Sequence, residues 1–410
     1  MNSEVIVELT DMTFGGDALG RLPDGRAVFV PFGLPQETVK IRLTNEKATF
    51  ARGEIVEILQ TSPLRIQPLC PHFGICGGCN YQHLAYADQL ILKRKIVVDQ
   101  LKRLAGLPDF PVASVVASPN PWNYRNTLQF HVSPAGKLSF QRANSNDFVE
   151  IRECHLPSEN INCFWPQISF EPDSNIDRVV IREGLEDDMI LGLESRQDLP
   201  PEFSVDFPIS VVYSSSPENR TVLSGDEFVL MEVNGRTFKV SIGSFFQVNL
   251  PQAEAMVKQV LYLAGDLKDK VVLDGYCGVG LFSAFMAGQA RQLIGIEFSQ
   301  SACDDYAANL DEFANVELYI GQVEQILPGL AIQPEIVVID PPRAGLDQRV
   351  IDAIAKIQPE KVIYVSCDPA TLARDVKRFQ VKGYSLQNAT PFDQFPQTSH
   401  IETIALITRE

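Results

Sequence analysis

The chain has 410 residues, ordinary apolar content and a formal charge of −17, which is length enough for two or three domains, each with its own core. No apolar run is long enough to span a bilayer, and the acidic N-terminal MNSEVIVELTD lacks the basic-then-apolar layout of a secretion signal, so a cytoplasmic protein is expected. Its eight cysteines then read as reduced thiols or metal ligands rather than disulfides.

Residues 1–62 read as short strands separated by turns: EVIVELT, a Gly-rich turn FGGDALG, a turn at Asp24-Gly25, then AVFVPF, ETVKIRL and ARGEIVEIL. Alternating apolar residues at this spacing predict a small five-stranded barrel, an architecture that commonly binds oligonucleotides. A cysteine loop follows, with Cys70, Cys76 and Cys79 in C-x5-C-x2-C spacing. Three close thiols with a distant fourth could hold zinc or an iron–sulfur cluster, and spacing does not choose between them.

Residues 84–105 carry Ala87, Leu90, Ile91, Val97, Val98, Leu101 and Leu104 at helical spacing. A basic cluster, Lys93, Arg94, Lys95, Lys102 and Arg103, sits on the same stretch, as a solvated face or an RNA contact. The net negative charge argues against a nucleic-acid partner only if it is evenly spread. It is not: residues 171–206 hold eleven acidic residues against three arginines. Residues 63–245 form a mixed, strand-rich α+β region with breaks at Pro119-Asn120-Pro121 and Ser214–Pro217.

From residue 246 the pattern changes to helices alternating with buried strands: VVLD, QLIGIE, VELYIG, EIVVID and KVIYVSC. That alternation predicts an α/β, doubly wound parallel sheet, which binds ligands beyond the carboxyl ends of its strands. LDGYCGVG places Gly275, Gly278 and Gly280 after the first strand, and Glu297 ends the second, where a carboxylate can bond ribose hydroxyls. Dinucleotide enzymes and S-adenosylmethionine methyltransferases share this layout. Asp340 ends another strand, in EIVVIDPPR, and its two prolines stiffen the loop.

Cys367 ends KVIYVSC and precedes Asp368-Pro369, a cap and first-turn pair for the next helix. A helix N-terminus lowers a thiol pKa and favours the nucleophilic thiolate; the competing reading is a small buried hydrophobe. Glu402, in SHIETIALI, stands near the start of a last apolar strand, where a carboxylate can be a general base or a surface charge.

Together these segments resemble the RNA uracil-5-methyltransferase family over nearly the whole chain: a TRAM barrel, CPHFGICGGC, FFQVN, LDGYCGVG, DPPRAGL, SCDPATLARD and HIE. The resemblance implies that Gln247, Tyr276, Glu297 and Asp340 contact S-adenosylmethionine, that Cys367 is the nucleophile and Glu402 the base, and that Phe245 helps hold the flipped uridine. It implies a 4Fe-4S cluster on Cys70, Cys76, Cys79 and Cys154, with His155 as a competing ligand. It implies a tRNA or rRNA partner for a monomeric enzyme. One departure is Leu281, where several family members carry Asn. Two other readings remain at this point: an RNA or DNA amino-methyltransferase, whose loop aromatic would be replaced here by Arg343, and a non-catalytic iron–sulfur RNA-binding protein. The cysteine loop lies far along the chain from Cys367, so loss of Cys79 is expected to affect folding or RNA binding before chemistry.

Overall fold

The computed structural model describes residues 4–143, 145–200, 208–216 and 219–409. Strands β1 (Glu4–Met12), β2 (Asp17–Arg21), β3 (Ala27–Pro31), β4 (Thr38–Glu46) and β5 (Phe50–Gln60) close into a barrel in the order β1-β2-β3-β5-β4. Alternate residues such as Val7, Leu9, Val28, Val30, Val39 and Ile41 fill its interior, as the period of a half-buried strand requires. β2 lies inside the stretch read as a Gly-rich turn: only Gly15 and Gly16 turn the chain, and Asp17–Arg21 pairs with β3.

Helix α1 (Tyr86–Gln100) follows the cysteine loop. Its buried face is Gln89, Leu92, Lys93, Ile96 and Val97, whereas Ala87 and Ile91 are exposed. The apolar spacing therefore put the inner face about a third of a turn off. The cause is polar: Gln89 and Lys93 turn inward because each finds a partner on residues 393–397. Lys93 Nζ donates to Asp393 Oδ1 at 2.5 Å and to the Phe395 carbonyl at 3.1 Å, with both charged side chains fully buried. Arg94 donates to the Val112 carbonyl and Lys95 pairs with Asp11. Three of the five basic residues thus tie the chain to itself rather than facing RNA. Replacing Lys93 by Met would strand the Asp393 charge in the interior, a loss on the order of 3–5 kcal/mol. Urea unfolding at pH 7 should show that drop; an unchanged midpoint would mean that the pair adds no net stability.

The central region is a seven-stranded sheet, in the order β12-β11-β10-β9-β6-β7-β8. Its strands are β6 (Thr127–Val132), β7 (Leu138–Gln141), β8 (Phe148–Glu150), β9 (Arg178–Glu183), β10 (Met189–Glu194), β11 (Ser210–Ser216) and β12 (Asn219–Ser224), with α2 (Glu159–Phe164) packed on one face. The expected break at Ser214 does not occur, because β11 runs through Ser216; Pro217 lies outside the described residues, as do Glu202 and Asp206 of the acidic stretch. The hairpin of β13 (Phe228–Val233) and β14 (Arg236–Ser241) buries Val229, Met231, Phe238 and Val240 against the last part of the chain.

That last part contains α3 (Leu250–Ala264), β15 (Val271–Gly275), α4 (Ser283–Met286), β16 (Gln292–Glu297), α5 (Gln300–Asn309), β17 (Val316–Ile320), α6 (Val323–Ile326) and β18 (Ile336–Ile339). It continues with α7 (Gln348–Ile357), β19 (Lys361–Ser366), α8 (Pro369–Gln380), β20 (Tyr384–Phe392) and β21 (Glu402–Arg409). The sheet order is β17-β16-β15-β18-β19-β21-β20, so the doubly wound methyltransferase-type sheet expected from the strand–helix alternation is present beside the TRAM-type barrel. Strands β15 to β19 are parallel, while β21 inserts antiparallel between β19 and β20. One face is covered by α3, α5 and the β13–β14 hairpin, the other by α7, α8 and the inner face of α1. No helix among the described residues is long and apolar enough to cross a membrane.

Candidate active site

The crevice opens where strand order reverses, between β15 and β18, as expected for an open α/β sheet. Asp340 follows β18 and Cys367 follows β19. β21 runs the opposite way, so its first residue, Glu402, stands at the same end of the sheet. Ser366 pairs with Thr403 across β19 and β21; the next residue along β19 and the previous one along β21 are Cys367 and Glu402. A parallel final strand would have put Glu402 at the far end. The inserted antiparallel strand is what brings a thiol and a carboxylate together.

These groups share a cavity of about 1130 Å³, which is also lined by Phe245, Gln247, Tyr276 and Glu297. Every residue assigned above to nucleophile, base or S-adenosylmethionine contact therefore faces one space. Glu402 is buried, and burial pushes its carboxyl up to about 7, against a downward pull from Arg343. Asp340 is raised well above the usual carboxylate range by burial and by Glu402 and Asp274.

The Cys367 thiol is pushed up to about 12, by burial first and then by Glu402 and Asp340, with Arg343 pulling it down. The helix N-terminus was expected to lower it. Burial and the two carboxyls outweigh it, and Asp368 already takes the helix's free donors, its carboxylate accepting the Ala370 and Thr371 N–H groups at 2.9 Å each.

The glycine loop is tightly wound. Tyr276 sits at φ 62°, a region that a bulky residue rarely enters, and such outliers cluster at ligand sites. Tyr276 N–H donates to the Ile296 carbonyl at 2.9 Å, which fixes the turn. Glu297 accepts N–H bonds from Gly278, Phe298 and Ser299, at 3.0, 2.9 and 2.8 Å. A carboxylate has about four acceptor sites, so it braces both loops with capacity left for a ligand. Gln247 is buried and accepts from Gln394 Nε2 at 2.9 Å. Leu281 is buried in the lining, where it presents an apolar wall.

Three features escaped the sequence. Asp274, the penultimate residue of β15, is fully buried and raised to about 7 by burial; Ser283 Oγ donates to one oxygen at 2.6 Å and the other has no partner. An acidic residue closing an otherwise apolar VVL strand was the available signal. The loop bearing Phe245 is held by Asp305, fully buried, which accepts from Ser241 N–H, Ser241 Oγ and Ser244 Oγ at 2.8, 2.6 and 2.6 Å. Arg182 donates to the Ser241 and Ser244 carbonyls at 2.6 and 2.8 Å. This rigid loop presents Phe245, 71% exposed, at the cavity, where a loose loop would lose the ring's orientation.

The third feature is the segment 393–401, which leads into Glu402. Asn80 Oδ1 accepts the Ser399 N–H at 2.7 Å and Asn80 Nδ2 donates to Ser399 Oγ at 3.0 Å. The Asn80 and Tyr81 N–H groups donate to the Gln397 carbonyl at 3.1 and 3.0 Å. Gln89 Nε2 donates to Gln397 Oε1 at 2.9 Å. Cys79 is thus one residue from a clamp on the strap that carries His400 and Glu402. The separation between cysteine loop and chemistry expected from chain position does not hold in space. His400 lines the catalytic cavity beside Arg343, and burial with Arg343 lowers its pKa to about 4, so it is neutral at pH 7.

The four thiols of Cys70, Cys76, Cys79 and Cys154 are near one another: Cys154, Cys76 and Cys70 each help to raise Cys79, which reaches about 12 chiefly through burial. Among the described residues no group of three or more Cys, His, Asp or Glu side chains could hold a metal ion.

Comparison with known proteins agrees with this geometry. The family model tRNA (Uracil-5-)-methyltransferase matches residues 330–410, and the TRAM domain model matches residues 2–56. An uncharacterized RNA methyltransferase of Halalkalibacterium halodurans is 30% identical over 448 aligned residues, covering 99% of this chain and 98% of its own. Another, from Bacillus cereus, is 31% identical over 447, covering 100% and 97%. The crystal structure of Pyrococcus abyssi tRNA (uracil-54, C5)-methyltransferase in complex with S-adenosyl-L-homocysteine superposes with a TM-score of 0.75 at 25% identity, over 99% of this chain and 100% of that one. Matched along its whole length by such relatives, the chain belongs to the TRAM-bearing RNA uracil-5-methyltransferase family and is an S-adenosylmethionine-dependent RNA methyltransferase.

Proposed function

We propose that the chain methylates carbon 5 of a uridine in tRNA or rRNA, with Cys367 as covalent nucleophile and Glu402 as base. The observation that carries this reading is the register of β19 and β21, which sets the thiol and the carboxyl side by side in one cavity with Asp340. Carbon 5 of uracil is a poor nucleophile. Addition of the Cys367 thiolate forms a sulfur–carbon 6 bond and pushes electrons into an enolate, which is nucleophilic at carbon 5. Carbon 5 then takes the methyl group, and S-adenosylhomocysteine leaves. Glu402 accepts the carbon-5 proton, the electrons re-form the ring double bond, and the sulfur–carbon bond breaks to free Cys367. The covalent route divides one difficult step into easier ones, and it needs the uridine out of its stack. Phe245 gives an exposed ring for the flipped base, while Gln247, Tyr276, Glu297 and Asp340 hold the methyl donor.

In this reading residues 1–62 and 63–245 grip RNA and residues 246–410 carry the chemistry, with one chain in the cytoplasm supplying every group. The amino-methyltransferase reading leaves Cys367 idle and has Arg343 in place of a stacking aromatic. RNA carrying 5-fluorouridine tests the proposal, because fluorine cannot leave as a proton and the adduct persists. A methylated, denaturant-stable enzyme–RNA complex whose tryptic peptide contains Cys367 is the expected result. Its absence with an RNA that the enzyme methylates as uridine would overturn the mechanism.

The same reading places a 4Fe-4S cluster on Cys70, Cys76, Cys79 and Cys154. Thiolates are the donor type such a group takes, and these four are near enough to raise one another's pKa, although as placed no three of them could hold a single metal ion. A lone zinc needs all its sulfurs about 2.3 Å from one point, whereas a cluster binds each thiolate at a different iron. Such a group, when bound, ties the cysteine loop to the segment before α2. Protein purified without oxygen should be brown and contain about four irons per chain with matching sulfide. One zinc and no acid-labile sulfide would refute the cluster.

A further inference from the structure

A second cavity, of about 660 Å³, lies away from the catalytic one, between the barrel, the cysteine loop and strands β6 and β7 of the central sheet. Its walls carry Phe32 from the barrel and His131 and Phe140 from the sheet. Phe32 is held at φ 60°, a genuine outlier for a bulky residue. The clamp is explicit: Arg65 Nη2 donates to the Phe32 carbonyl at 2.7 Å, and Arg65 is itself paired with fully buried Glu37 at 2.6 Å. The fold spends a buried ion pair to keep that ring at the cavity wall. Across from it, Phe140 is braced by stacking on Phe130, at 4.8 Å and 11°.

The polar part of the lining is mostly neutral: Gln129, Gln141 and Asn146 are amides that can both donate and accept, Gln141 and Asn146 sharing one long bond, while the Asn80 amide is taken up by Ser399. Of the charged residues in the lining, Asp17 is paired with Arg52 at 2.8 Å, and Arg142 is a single cation rather than a cluster. A phosphate would meet little positive charge here. A flat, neutral ring with donors and acceptors on its edge fits aromatic walls and amides, and stacking of this kind is how single-stranded RNA is held. The volume is in the range of small-molecule pockets. The two cavities share no lining residue, but a hydrogen bond links their walls: Asn80 on this one clamps Ser399, and the next residue, His400, lines the space with Cys367 and Glu402. Of the four clustered thiols only Cys79 reaches it.

We infer that this cavity binds a second unpaired nucleobase of the substrate RNA, stacked on the aromatic walls, while the target uridine occupies the catalytic cavity. The inference rests on the RNA reading above and adds a recognition site to it. It explains how an acidic protein can select RNA: two extruded bases are read by fit, with less demand on phosphate attraction.

The test uses the full-length enzyme and RNA from cells that lack it, grown with 4-thiouridine. Near-ultraviolet light should cross-link RNA to peptides containing Phe32 or Phe140. Phe32→Leu and, on the exposed edge of β6, Gln129→Ala should each weaken RNA binding, roughly tenfold for the stacking residue, with kcat at saturating RNA and S-adenosylmethionine affinity unchanged. The 5-fluorouridine adduct at Cys367 is scored in parallel. If the adduct forms but no cross-link maps to these peptides and both variants bind RNA as wild type, the second site is wrong and the chemistry stands. If cross-links map there and no adduct forms, the base site stands and the covalent mechanism falls. Should Phe32→Leu lose its fold, the Gln129→Ala affinity and the wild-type cross-link decide.

Discussion

Cys367→Ala is expected to abolish methyl transfer and leave S-adenosylmethionine binding nearly intact. In the proposed mechanism the thiol is the atom that activates the uracil, and no neighbouring group can replace it: Asp340 and Glu402 are carboxyls whose burial favours the protonated form. The proposed donor contacts lie elsewhere, on the Glu297 brace and the wound loop at Tyr276. The substitution removes a half-buried thiol and strands no polar partner, so folding should hold. Transfer of labelled methyl to RNA and calorimetric titration of the donor measure the two quantities. Turnover near the wild-type rate would reject the thioether mechanism; lost donor binding would move Cys367 from chemistry to structure.

Glu402→Gln keeps the shape of the side chain and removes its basicity. The methylated adduct then holds its carbon-5 proton, so enzyme–RNA complex should accumulate on denaturing gels with ordinary RNA. Product formation should fall roughly 10²–10⁴-fold, the usual worth of a positioned base. The pH dependence has a definite sign. Glu402 must be ionised to accept a proton, and burial sets its carboxyl at about 7, so the proton-removal rate of the wild type should climb as pH rises through about 7. Stability runs the other way. A carboxyl whose pKa is raised on folding binds its proton more tightly in the native state, so this group subtracts stability as pH rises from the ordinary value of 4.5 to about 7. Above that pH the Gln variant should melt higher than the wild type. Free enzyme with normal product yield would make Glu402 a bystander.

Much of this was legible because it is local. Alternation along β1 to β5 and the run of apolar strands from Val271 to Ser366 are short-range patterns, and so are the cap at Asp368 and the turn at Gly278. What could not be read was non-local. Nothing in HIETIALI says that β21 inserts antiparallel beside β19, and that insertion is what puts Glu402 opposite Cys367. Lys93 looked like a surface charge because its partner, Asp393, is 300 residues away. The Cys367 thiol was misjudged for a related reason: a helix N-terminus is visible in sequence, but the two carboxyls that oppose it come from other strands.

The strap from Asp393 to Ile401 has a consequence for how such a protein can change over evolutionary time. Its anchors, Asn80, Gln89 and Lys93, lie outside the sheet whose cavity it walls. α1 fills one face of that sheet and the β13–β14 hairpin the other. The catalytic half is therefore not an interchangeable module. A recombinant that joins the first two regions of one relative to the sheet of another would carry mismatched anchors, and the strap that leads into Glu402 would lose its hold. Change is then expected to be tolerated on the outer surfaces of the barrel and central sheet more readily than at this seam.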